Sequence, residues 1–122
     1  MPQDKFGIEI QKGDVLAMVD TYKDYPPVLC VADRGFTAQF TKVSYMYLFG
    51  FETSINIGKH KTRHLVVINE EQTAGIINKM IQARLEYQEH YLNNQHFVLE
   101  AEEEIRAKIN DLLEHSAKLK EE

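Results

Sequence analysis

Beyond residue 75 the chain has neither glycine nor proline: Gly75 is the last glycine and Pro27 the last proline. The stretch from 76 to 122 therefore lacks the two residue types that most often punctuate local structure. Within it Ile76, Ile77, Met80, Ile81 and Leu85 recur at helical spacing. Ile77, Arg84, Tyr91, Val98, Ile105, Leu112 and Leu119 stand seven apart, the repeat of a coiled-coil seam. Asn69 before Glu70-Glu71-Gln72 predicts a helix start with a reciprocal cap and acids in the first turn. Two arrangements fit: one long helix, or an antiparallel hairpin turning at about residues 92 to 96. Arg84 in the seam and the Asn93-Asn94 interruption favour the hairpin. In both, Ile105, Ile109 and Leu112 form an apolar face that needs cover, so residues 70–122 are expected to drive homo-oligomerisation.

The first half has the opposite character. Short apolar or alternating runs are separated by turn signals: Lys12-Gly13-Asp14, the loop Tyr22 to Pro27, Asp33-Arg34-Gly35, and Gly58-Lys59-His60-Lys61. Val15 to Val19, Val28 to Ala32, Phe36 to Phe40, Ser44 to Phe51 and Arg63 to Ile68 read as strands. The fold class is α+β. A small SH3-like β-barrel or curled antiparallel sheet spans about residues 6–68, within a β-rich domain of residues 1–69. A helical hairpin or long helix over 70–122 follows and packs on it. Closure is expected because it removes exposed strand edges.

The segment from Ser44 to Phe51 carries Tyr45, Tyr47, Phe49 and Phe51 on one face of a strand. Such a row serves as core or as a stacking platform. Phe49 and Phe51 read as core, whereas Tyr45 and Tyr47 are the candidates for ligand contact. The segment GKHKTRH, residues 58 to 64, has no acid between Glu52 and Glu70. As a hairpin tip it would offer Lys59, Lys61 and Arg63 to phosphates, with Lys42 nearby.

Charge divides between the halves. Residues 1–69 hold eight Lys/Arg and seven Asp/Glu, whereas residues 70–122 hold six and twelve. An anion-binding surface therefore belongs to the first half. No apolar run is long enough for a membrane span, and the start lacks a secretory pattern. With one cysteine, Cys30, these features lead to an expectation of a cytoplasmic protein without membrane association.

His60 and His64 lack the glutamate of a helical zinc motif, and none of the serines sits in a nucleophile elbow. No enzyme activity, metal or cofactor is expected. The Lys-Gly-Asp start and the short strands over about residues 12 to 57 resemble SH3-like modules, including those of KOW type. The chain departs from the KOW pattern at Tyr25-Pro26-Pro27, where a further glycine is usual. The expectation is a regulatory binding protein with an anion-binding surface for nucleic acid or a nucleotide. The alternative is a protein–protein adaptor or inhibitor whose acidic helices hold a basic partner, as a viral protein blocking a host factor would.

Overall fold

In a computed structural model, residues 2–19, 28–35, 37–49, 52–91 and 98–122 are described, with backbone alone for 47–49, 52–54, 87–91 and 98–101. The helical half divides into α1 (Glu70–Tyr91) and α2 (Val98–Glu121), which pack on one another. The start of α1 follows from its sequence. Gln72 N donates to Asn69 Oδ1 at 2.8 Å, and Asn69 N donates to Gln72 Oε1 at 3.0 Å. Each residue satisfies an amide that the first helical turn would leave bare.

Five strands precede the helices: β1 (Val15–Met18), β2 (Val28–Gly35), β3 (Phe40–Phe49), β4 (Glu52–Lys61) and, after a 3-10 turn at Thr62–His64, β5 (Leu65–Val67). All pairings are antiparallel, in the order β4-β3-β2-β1-β5. Among the described residues β4 and β5 do not pair, so the sheet is open and the expected barrel does not close.

The sheet is nevertheless curled. Four interstrand spacings of about 4.8 Å would put β4 and β5 about 19 Å apart on a flat sheet. The chain from Lys61 to Leu65 can span at most about 14 Å. Alternation gives the curl two different faces. Leu29 and Val31 of β2 and Met46 of β3 point outward to Met80, Ile81, Ile105, Ile109 and Leu112 of the helices. Leu16, Met18, Cys30, Ala32, Val43 and Leu65 point inward and cluster with Ile10.

Three sequence expectations need correction here. Ile105, Ile109 and Leu112 are buried within the single chain against its own sheet. Their apolar surface therefore gives no reason to require a second chain. Asp33-Arg34-Gly35 is not a tight turn but the end of β2, with Asp33 accommodated by a bulge between Ala32 and Arg34. The turn is made instead by Thr37, whose Oγ1 accepts from Gln39 N and Phe40 N at 3.2 Å each. Gly58 to Lys61 is likewise strand: β4 stays in register with β3 from Phe49↔Glu52 to Phe40↔Lys61. The loop 22–27, Phe51, the helix junction at 92–96 and the side chains of Tyr47 and Phe49 lie outside the described residues.

An N-terminal loop caps the β5 edge. Buried Asp4 accepts from Phe6 N and Ile8 N through Oδ1, at 2.8 and 2.9 Å, and from Val67 N through Oδ2 at 2.9 Å. Lys5 N donates to Leu65 O at 2.9 Å. Asp4→Ala removes all three carboxylate bonds at once and is expected to cost about 2 kcal/mol, since water can replace part of what is lost. Faster hydrogen exchange at Phe6, Ile8 and Val67 than in the helices would show the loop detaching; an unchanged melt and unchanged exchange would refute the capping role.

Candidate anion-binding surface

Because β4 continues as a strand, the basic segment is spread along a sheet edge and not gathered at a tip. Lys59 lies directly opposite Lys42 of β3, and Lys42 lies opposite Arg34 of β2. Residues directly opposite on antiparallel strands share a face, so three cations stand in a row across three strands. Two spacings of about 4.8 Å make the row about 10 Å long at the backbone. Lys61, two residues beyond Lys59 and opposite Phe40, adds a fourth. Lys59 Nζ sits 4.5 Å from the centroid of the Phe40 ring, a cation–π contact that holds the ammonium over this end of the sheet.

The row lies on the outer face, beside α2. There Asp33 accepts from Ser44 Oγ at 2.8 Å through Oδ2, and its Oδ1 is 2.6 Å from His115 Nε2. The bulge that displaces Asp33 thus turns its carboxylate toward Ser44 and α2, and lets Arg34 take the place opposite Lys42. Asp33 borders the row, and its carboxylate is engaged in these two contacts.

Of the other sequence-predicted residues, Tyr45 separates from this set. Tyr45 is on the inner face, where its ring meets that of His60 edge-on at 5.1 Å between centroids. Gly58 lies beneath this contact; a Cβ there would come within 3.2 Å of His60 Nε2 and 3.4 Å of Tyr45 Cε1. Tyr45 therefore does not share a face with Lys42 and Lys59. For Tyr47 only its place in β3, opposite Ser54, is described. Arg63 is in the 3-10 turn, where Nε donates to His64 Nε2 at 3.3 Å.

Arg34 is the residue that the sequence did not single out. Its signal was hidden by Asp-Arg-Gly, a good turn tripeptide, and only the bulge brings it into the row. Burial, and secondarily the charge of His64, lower the pKa of His60 below the ordinary histidine value, so its ring adds no charge near neutral pH. Burial pushes the Cys30 thiol up to about 12, which leaves little nucleophilic thiolate near neutral pH. Among the described residues, no group of three or more His, Cys, Asp and Glu could hold a metal ion, and no helix is long and apolar enough to cross a membrane. Comparisons with protein-family models, with curated proteins and with solved structures give no match.

Proposed function

We propose that this chain is a non-enzymatic regulatory binding protein that takes a phosphate-bearing ligand, a nucleic-acid strand or a nucleotide, on the outer face of its sheet. The observation that carries the reading is the row Arg34, Lys42 and Lys59 across β2, β3 and β4, extended by Lys61. Like charges directly opposite on adjacent strands disfavour the sheet. An anion laid across the three would offset what repulsion remains between them. Arg34 supplies a planar fork for two phosphate oxygens, and the lysines supply compact charges. The scaffold in this reading is SH3-like but left open between β4 and β5; the curl and the short 3-10 link support it.

The triple variant Lys42→Ala, Lys59→Ala, Lys61→Ala is the test. For a single strand each neutralised phosphate contributes about −0.7 to the salt slope, so four cations give about −3 and Arg34 alone about −0.7. The melting temperature should change little, because Lys59 and Lys61 are exposed and Lys42 is half-buried. Titration with a labelled oligonucleotide at several salt concentrations measures the slope, with Arg63→Ala as the control expected to change it little. A nucleotide would instead bind saturably, with modest salt dependence and the same sensitivity to the triple variant. If affinity and slope are unchanged in that variant, this surface is not the binding site. The adaptor reading, with the acidic helices holding a basic partner, then takes precedence.

A further inference from the structure

The two edges of the sheet are treated differently. β5 is three residues long and is covered by the N-terminal loop through Lys5 and Asp4. β4 is ten residues long, contains no proline and has β3 as its only strand partner among the described residues. Its centre is apolar and open: on the outer face Ile55 is 37% exposed and Ile57 63%. Protein edges are ordinarily blunted by short length, proline, bulges or charged side chains, lysine above all. β5 is blunted along its length, whereas the lysines of β4 stand toward one end and leave Ile55 and Ile57 without a charge between them.

We infer that the β4 edge pairs with β4 of a second copy of this chain, antiparallel, about a twofold axis at Asn56 and perpendicular to the sheet. Self-complementarity singles out this occupant and this register. With Asn56 opposite the partner's Asn56, Ile55 falls opposite the partner's Ile57, and Ile57 opposite the partner's Ile55. Four isoleucines then form one continuous apolar strip. Lys59 falls opposite the partner's Thr53, and His60 opposite the partner's Glu52, so no two like charges meet. Shifting the axis to Ile57 pairs Ile55 with the partner's Lys59. A one-residue slip sets outer-face side chains against inner-face ones. Parallel pairing in register sets Lys59 and Lys61 against their own copies. An axis at Ile55 sets Ile57 against the partner's Thr53, so only the Asn56-centred register matches all four isoleucines with one another and keeps the cations apart. The result is a ten-stranded sheet with the helices of both copies on the same side. This inference is independent of any ligand.

Light scattering on the full chain at micromolar concentration tests it. Wild type should show twice the 14.2 kDa chain mass, and Ile57→Lys should return to the single-chain mass. Ile57 is exposed, so the variant should keep the wild-type circular dichroism. A wild type of single-chain mass, or a doubled mass that survives Ile57→Lys, overturns the proposal. Residue identity at the axis gives a second readout. Antiparallel partners lie about 4.5–5.5 Å apart at Cα, within disulfide range. Asn56→Cys should therefore cross-link under mild oxidation, while Cys30 is buried and silent. Glu103→Cys, exposed on α2, should cross-link far less. Equal cross-linking of the two variants would mean random collision and would also overturn the proposal.

Discussion

Leu112→Ala is expected to lower the melting temperature by roughly 10–20 °C, from a loss of about 2–5 kcal/mol. The side chain is fully buried and belongs to the cluster joining α2 to Leu29, Val31 and Met46 of the sheet. Truncation leaves a void that the neighbouring rows fill only partly, because strands and helix are held by their own ladders. The gap between the melting curves of variant and wild type should be the same at every protein concentration, and the same again in the Ile57→Lys background. A gap that widens on dilution would place Leu112 in an interface between chains and not in the core of one.

Gly13→Ala is expected to cost about 2–5 kcal/mol for two independent reasons. Gly13 has φ +87°, in the left-handed region, where a side chain adds about 1–2 kcal/mol. An added Cβ would also stand 2.7 Å from Lys120 Cγ, 3.0 Å from Ser116 O and 3.1 Å from Lys120 N. The last two are backbone atoms of α2, so the helix must shift, at about 1–3 kcal/mol. Relief of that kind would also disturb the bond from Ser116 Oγ to Gly13 O and the contact between Lys12 and Glu122. A thermal melt of Gly13→Ala beside Lys12→Ala separates the effects, since the exposed ion pair alone contributes little. A melt as small in shift as that of Lys12→Ala would show that the turn and helix can adjust freely.

Which parts of this were legible beforehand follows from how local the causes are. The cap of α1 could be read because Asn69 and Gln72 are its whole mechanism. Of the seven-residue row, the members with described side chains, Ile77, Arg84, Ile105, Leu112 and Leu119, are all buried or partly so. Periodicity identifies an inward face without saying what covers it, and here the cover is the chain's own sheet. The turns failed for the converse reason. Asp-Arg-Gly and Gly-Lys-His-Lys are good turn sequences, but long-range pairing with β3 offers each backbone a full ladder and overrides that preference. The candidate surface was therefore half visible. Lys42, Lys59 and Lys61 were named from the sequence, whereas their alignment with Arg34 depends on register and a bulge that no local motif encodes.

The link of three residues between β4 and β5 has one more consequence. It leaves no slack, so the sheet cannot flatten without breaking either the Met18↔Leu65 pairing or the anchor from Thr62 N to Gln39 O. The helix-side face is thus held permanently convex, and side chains rooted in a convex surface fan outward like spokes. The tips of Arg34, Lys42 and Lys59 can then stand farther apart than the 10 Å or so between their backbones. A mononucleotide, with its phosphates in one cluster, would meet only part of such a fan. A strand with phosphates at intervals could meet each spoke in turn, so of the two proposed ligands the curvature favours the longer one.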